Sequence, residues 1–200
     1  MNTSYAKAET LTSAVFAPMD WVRQVGLVLS FSLLMALSAQ LVITLPWTPV
    51  PITGQTFVVL LAGAVLGSRL GALAMIAYLI EGASGLPFFR AGGGGLPYLL
   101  ASPTTGYLLS YPLAAYTVGL LAERGWDRRF VAAAAAMTIG SSIILAGGWV
   151  WLTLWFKTAG EALRAGVLPF LLGDAIKIAL AAGALPACWA LLRRKASQRD

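Results

Sequence analysis

Long uninterrupted apolar runs alternate with short clusters of basic residues along this 200-residue chain. Residues 24–68, 91–122 and 130–156 contain no Asp, Glu, Lys or Arg. A helix that crosses the hydrocarbon layer of a bilayer needs about 20 apolar residues, at ~1.5 Å of rise each. Six segments meet or approach that length, at about residues 24–45, 56–67, 70–82, 106–122, 131–156 and 168–192. The second and third are short and parted only by Ser68-Arg69, so a short pair and one longer broken span both stay open. Pro112 and Pro186 fall inside the fourth and sixth segments, as membrane helices tolerate. The pattern predicts an all-α integral membrane protein of six transmembrane helices, with residues 1–200 forming a single membrane domain.

Composition agrees. Apolar residues are 58% of the chain and charged residues 11%, against about 25% charged in soluble domains. The chain has no histidine and one cysteine, Cys188. This excludes His- or Cys-based metal centres, an internal disulfide, and Ser-His-Asp or Cys-His catalysis. Lys7, Glu9 and Asp20 interrupt the first twenty residues, which do not read as a cleavable signal peptide. The net charge of +6 does not mark a nucleic-acid surface, because the basic residues sit between apolar segments. With six spans, Lys7, Arg23, Arg69, Arg124, Arg128, Arg129, Arg193, Arg194, Lys195 and Arg199 share the side of the termini. Only Arg90, Lys157 and Arg164 lie opposite, and Lys177 falls within a span. This bias predicts cytoplasmic termini; an odd number of spans would spoil it.

Residues 44–55 and 82–105 are the longest stretches without a helical pattern, and both fall on the external side. Prolines 46, 49 and 51 stiffen the first into extended backbone, and Gly92-Gly-Gly-Gly95 strips side chains from the second. Irregular backbone at membrane depth survives only when buried in protein or lining a cavity. Two such external loops suggest the mouth of an outward-facing pocket.

Asp174 and Lys177 are the leading candidates for chemistry. Three residues apart on a helix, they share a face, and a charge in mid-membrane costs at least ~2.5–3.5 kcal/mol. Either they lock two helices as a self-compensating pair, or they grip a ligand. A carboxylate accepts N–H donors and an ammonium donates to a carbonyl, so together they suit a urea or cyclic amide. Gln55 after the proline run either closes a cavity with its amide or sits in a turn capped by Thr53 or Thr56. Glu81 at the end of the third span binds a ligand, gates a proton, or meets interfacial water. Arg90 faces a ligand carboxylate or a lipid headgroup. The glycine run lacks the Lys-Ser/Thr ending of a phosphate loop and carries no nucleotide signal. Trp149, Trp151 and Trp155 read as an interfacial belt. Ser32 and Ala36 form a small-xxx-small pair in the first span, for packing within the protein or docking to a second membrane protein.

The ordered set of motifs resembles one family. Pro49-Val-Pro-Ile-Thr-Gly-Gln-Thr56 is followed by Leu60-Leu-Ala-Gly-Ala-Val-Leu-Gly67 and Tyr78-Leu-Ile-Glu-Gly-Ala-Ser-Gly-Leu-Pro87. Then come the glycine run, Pro103-Thr-Thr-Gly-Tyr107 and Gly173-Asp-Ala-Ile-Lys177. Together these resemble BioY, the biotin-specific substrate-binding (S) component of energy-coupling factor (ECF) transporters. The resemblance implies an S-component fold with irregular external loops, in a bacterial cytoplasmic membrane. It implies high-affinity biotin binding and uptake, with a transmembrane coupling (T) subunit and two ATP-binding-cassette ATPases as partners. Asp174 and Lys177 match the ligands of the ureido ring, and the loop holding Gln55 matches a lid. Residues 90–95, with Gly93 and Gly94, match another wall, and Tyr107 and Glu81 fall in matching motifs. Ser32 and Ala36 match the coupling-subunit contact. The resemblance also implies an arginine downstream of the glycine run for the biotin carboxylate. No basic residue stands between Ala91 and Glu123, which leaves Arg90 as its substitute.

The chain is therefore expected to be a binding and transport subunit and not an enzyme, with no cofactor, no metal and no nucleic-acid partner. It carries no Walker motif, so ATP hydrolysis falls to other subunits; a homo-oligomer stays open. An S component for another vitamin, a small intramembrane enzyme using Asp174 and Lys177 as acid and base, and a ligand-free helix bundle are the competing readings.

Overall fold

The computed structural model describes residues 10–16, 19–156 and 158–197. Lys7, Lys157 and Arg199 of the charge pattern lie outside the described residues, as does the side chain of Lys195. The helices run α1 (Leu11–Phe16), α2 (Trp21–Ala39), α3 (Gln55–Leu66), α4 (Ser68–Ala83), α5 (Leu96–Ala101), α6 (Thr105–Glu123), α7 (Phe130–Phe156), α8 (Ala159–Gly166) and α9 (Leu171–Ser197). Three 3₁₀ turns, Arg90–Gly92, Trp126–Arg128 and Leu168–Phe170, join some of them. Central in the bundle, α6 packs against α3, α4 and α7.

By length and composition, three helical stretches among the described residues are apolar enough to cross a membrane. They are Trp21–Ala39, Phe130–Phe156 and Ala159–Arg194, the last joining α8 to α9; α3 is apolar but shorter. Their outward faces carry Leu29, Leu33, Leu37, Val150, Leu154, Leu172 and Leu180, all exposed and apolar. Such a surface suits hydrocarbon and not water, and this is a membrane protein.

The first span was expected to run to residue 45, but α2 stops at Ala39. Val42–Ile43 (β1) instead pairs antiparallel with Ile52–Thr53 (β2), Val42 opposite Thr53 and Ile43 opposite Ile52. β-Branched residues suit such a ladder as well as a membrane helix, so hydropathy alone cannot separate the two. The Gln40 side chain marks the helix end by donating to the carbonyls of Phe89 and Pro87 and accepting from Gly92 N. The short helices α5 and α8 lie in stretches with no helical expectation.

Residues 55–83 form two helices, and Gly67 is the break. Its φ of 88° suits glycine, and a Cβ there would stand 2.7 Å from a Glu123 carboxylate oxygen. That carboxylate accepts from Ser68 N at 2.7 Å and Ser68 Oγ at 2.8 Å, capping the start of α4 from another helix.

Candidate functional site

A cavity opens where α3, α6 and α9 meet under the β1–β2 hairpin and the loop that follows α4. Its apolar surface comes from Val50, Leu108, Leu145 and Phe170, and its aromatic hydroxyls from Tyr98, Tyr107 and Tyr111. Tyr107 and Tyr111 are one turn apart on α6, so one face of that helix supplies both. Tyr107 donates to the Gly166 carbonyl at 2.5 Å, which ties α6 to the end of α8. The hairpin loop is fastened too, by Thr48 Oγ1 donating to the Ala165 carbonyl at 2.6 Å.

Asp174 and Lys177 line this cavity from the first turns of α9. Asp174 is 6% exposed. The ion pair is 3.6 Å long, and neither charge depends on it alone. Ser141 on α7 donates to Asp174 Oδ2 at 2.5 Å, and Thr56 on α3 approaches Oδ1 at 3.5 Å. Lys177 donates to the Thr53 carbonyl at 2.9 Å and to Thr56 Oγ1 at 2.7 Å. The ammonium therefore commits its three N–H groups to Thr53, Thr56 and Asp174. The carboxylate, with about four lone-pair positions, keeps room for one more donor. A buried pair left bare is costly, and these added bonds are what makes burial tolerable.

Gln55 stands in the first turn of α3 on the cavity wall, 5% exposed. Its amide donates to Tyr78 Oη at 2.7 Å, and Tyr78 donates onward to the Phe88 carbonyl at 3.2 Å. Thr53 Oγ1 also accepts from Gln55 N at 3.4 Å, a cap at the start of α3. Arg90 lines the same cavity from the loop after α4.

Five candidates sit elsewhere. Gly93 and Gly94 are not among the lining residues. They are packing positions: Gly93 lies against the Tyr98 ring, and Gly94 against the Gly85 and Leu86 carbonyls. Glu81 accepts a hydrogen bond from Ser32 Oγ between α4 and α2 and is not a lining residue either. Ser32 and Ala36 are 0% and 5% exposed, so the small pair packs inside the bundle. Trp149 and Trp151 spend their indole N–H groups on the Ala159 and Ser102 carbonyls. Sequence reasoning missed Thr56, Ser141, Tyr98 and Tyr111; the i, i+4 spacing of Tyr107 and Tyr111 was the one available signal.

At the other end of the bundle the turn between α6 and α7 buries a second carboxylate. Asp127 is 2% exposed and accepts from Trp189 Nε1 of α9 at 2.5 Å. The Arg128 guanidinium lies 4.6 Å above the Trp189 ring. Burial pushes the Asp127 carboxyl above the ordinary carboxylate range, with the Trp189 hydrogen bond and the Arg128 charge opposing it.

A helix bundle with membrane-length helices and a hairpin-covered cavity defines a helical membrane protein of S-component architecture. The solved S-component for biotin from an ECF-type ABC transporter superposes with a TM-score of 0.76, covering 83% of this chain and 90% of that one. At 23% identity this establishes the fold. The sequence model of the BioY family matches residues 4–194. The chain is 38% identical over 159 residues to a probable biotin transporter BioY of Pyrococcus horikoshii, covering 80% of this chain and 91% of that protein. It is 39% identical over 140 residues to the biotin transporter BioY of Thermotoga maritima, covering 70% and 81%. With that of Rhizobium etli it shares 37% over 147 residues, covering 70% and 78%. The chain belongs to the BioY family.

Proposed function

We propose that this chain binds biotin from the external side and serves as the substrate-binding subunit of an ECF-type transporter. The carrying observation is the Asp174–Lys177 pair, set in a cavity that also has apolar and aromatic walls, Val50, Leu108, Leu145, Phe170 and three tyrosines. Ureido N–H groups suit the spare acceptor position on Asp174. A ureido carbonyl suits Lys177, which would exchange one of its present acceptors for it. The apolar and aromatic walls suit the sulfur ring and the aliphatic tail. A ligand without the urea leaves two buried ions poorly satisfied, which is a strong basis for selectivity. The names of the relatives and the motif order support the same reading.

In this reading six helices (α2, α3, α4, α6, α7 and α9) cross a bacterial cytoplasmic membrane with both termini inside. The hairpin and the loop holding Gln55 form the external lid. The chain performs no chemistry on biotin. Energy comes from a T subunit and two ATP-binding-cassette ATPases, because the sequence holds no Walker motif. The test is equilibrium binding of labelled biotin to the detergent-purified chain, competed by unlabelled biotin, thiamine or riboflavin. Stoichiometric binding displaced by biotin alone supports the proposal; displacement by another vitamin, or no binding, contradicts it.

A further inference from the structure

We infer that the end of the bundle carrying the α6–α7 turn seats one anionic phospholipid, its phosphate on Arg129 and Arg193 and an acyl chain in the groove between α7 and α9. This seat lies outside the substrate cavity and does not depend on what that cavity binds.

Charge carries the first half of the argument. Arg124, Arg128 and Arg129 around the turn, and Arg193 and Arg194 of α9, bring five guanidinium groups to this end. The turn packs against α6, α7 and α9. The carboxylates of Glu123 and Asp127 are engaged inside the bundle, by Ser68 and by Trp189. Arg124, Arg129, Arg193 and Arg194 are exposed, and among the described residues no carboxylate pairs with them. Trp189 reaches Asp127 at 2.5 Å while Arg128 lies 4.6 Å above its ring, and Arg193 stands one turn beyond Trp189 on the same face. The arginine of α9 therefore stands beside those of the turn. Exposed apolar Phe130 and Val131 follow Arg129 directly, which places these guanidinium groups at the edge of the hydrocarbon. There they meet lipid phosphates, whose oxygens suit the guanidinium fork.

The groove carries the second half. Its part nearest the turn is lined by Phe130, Ala134 and Thr138, successive turns of α7, and by Ile178 and Ala179 of α9. The Ser141–Asp174 and Trp189–Asp127 hydrogen bonds hold α9 against α7 and its preceding turn at two levels, and the small side chains of Ala134 and Ala179 leave the groove between them. Thr138 spends its hydroxyl on the Ala134 carbonyl at 2.8 Å, so this wall offers hydrocarbon no unmet donor. At about 3.6 residues per turn, Arg193 falls on the azimuth between Ile178 and Ala179, so headgroup and chain share one face of α9. Half of a hydrocarbon layer of about 30 Å matches about ten residues of helix. A chain of that reach, starting at Arg129, ends near Thr138, short of Ser141 and Asp174. A zwitterionic lipid would leave the excess of guanidinium charge unmatched.

The experiment titrates the delipidated, detergent-purified full chain with dioleoylphosphatidylglycerol or dioleoylphosphatidylcholine and counts bound lipid by native mass spectrometry. The seat predicts one phosphatidylglycerol per chain, preferred by about tenfold or more. Arg129→Gln and Arg193→Gln should each lower its affinity about fivefold, the worth of one basic residue at a membrane surface, and spare phosphatidylcholine. Arg69→Gln, which removes the same charge from the start of α4, should stay within about twofold. Ala179→Trp, which fills the groove at an exposed position, should lower phosphatidylglycerol affinity about tenfold; thermal melts show that this variant is folded, and the arginine variants test the seat without it. Equal affinity for the two lipids, or an equal loss in Arg69→Gln, overturns the seat and leaves only a diffuse belt of charge. Inorganic phosphate competing as well as the lipid, or full lipid binding by folded Ala179→Trp, overturns it because the groove then plays no part. Unchanged lipid binding in every variant, with assembly with the T subunit lost instead, assigns this face to a protein partner and overturns it too.

Discussion

Two carboxylates are buried at opposite ends of this molecule, and their surroundings differ in an instructive way. Asp127 lies beneath an indole and beside a guanidinium, and its partners fasten the α6–α7 turn to α9. Asp174 is tied as firmly, to Ser141, Thr56 and Lys177, but it faces a cavity with an acceptor position to spare. Burial of a charge therefore does not by itself identify a site. Spare hydrogen-bonding capacity exists at both ends, since Asp127 Oδ1 also has no partner among the described residues; what distinguishes Asp174 is the cavity that its carboxylate lines.

The largest effect that would sharpen this contrast comes from Lys177→Met, which strands Asp174 without its cation. Loss of one partner of a buried pair costs about 3–5 kcal/mol. Biotin binding should fall by more than about 100-fold, and thermal melts should show a clear loss of stability. Ser141→Ala is next. Removing a hydroxyl donor to a charged group costs about 1.5–3 kcal/mol and should weaken biotin affinity roughly tenfold or more by direct titration. Trp189→Phe strips Asp127 of its donor, at about 1–3 kcal/mol of stability, and should leave biotin affinity within about twofold, since distant sites act independently. A matching loss of affinity in Trp189→Phe would break the distinction between the two ends.

The smallest effect is a pH dependence. The folded chain holds the Asp127 proton more tightly than the unfolded chain does. As pH rises past the ordinary carboxylate value of about 4, the unfolded chain releases the proton first, so stability falls until the folded carboxyl also titrates. Native protein should lose stability relative to Asp127→Asn across that window and match it in trend below it. Melting curves collected across acid and neutral pH check the sign.

Asp174 and Lys177 were readable from residue type, because a charge in an apolar helix stands out, whereas Tyr107 came only through the family resemblance. Asp174, Lys177, Arg90, Gln55 and Tyr107 all reach the cavity. Helix faces were far harder to read. In lipid, the outer face of α2, with Leu29, Leu33 and Leu37, is as apolar as the core, so no amphipathic stripe shows that Ser32 and Ala36 point inward. Ser141 and Tyr98 escaped notice because hydroxyls within apolar runs usually bond their own helix backbone, as Ser142 does. The glycine run drew attention to a wall, yet its space is filled by protein: Tyr98, and the backbone of Gly85 and Leu86. The true wall residues flank it, Arg90 before and Tyr98 after. The β1–β2 ladder was hidden for the opposite reason, since Val and Ile in a short apolar run carry no local mark of strand over helix.

The most direct measurement is biotin affinity of Asp174→Asn, an isosteric change that removes the charge and keeps the shape. The account predicts a fall of about 100-fold or more in a chain that still purifies as a single folded species and still inserts in membranes. Unchanged affinity in that variant would contradict it.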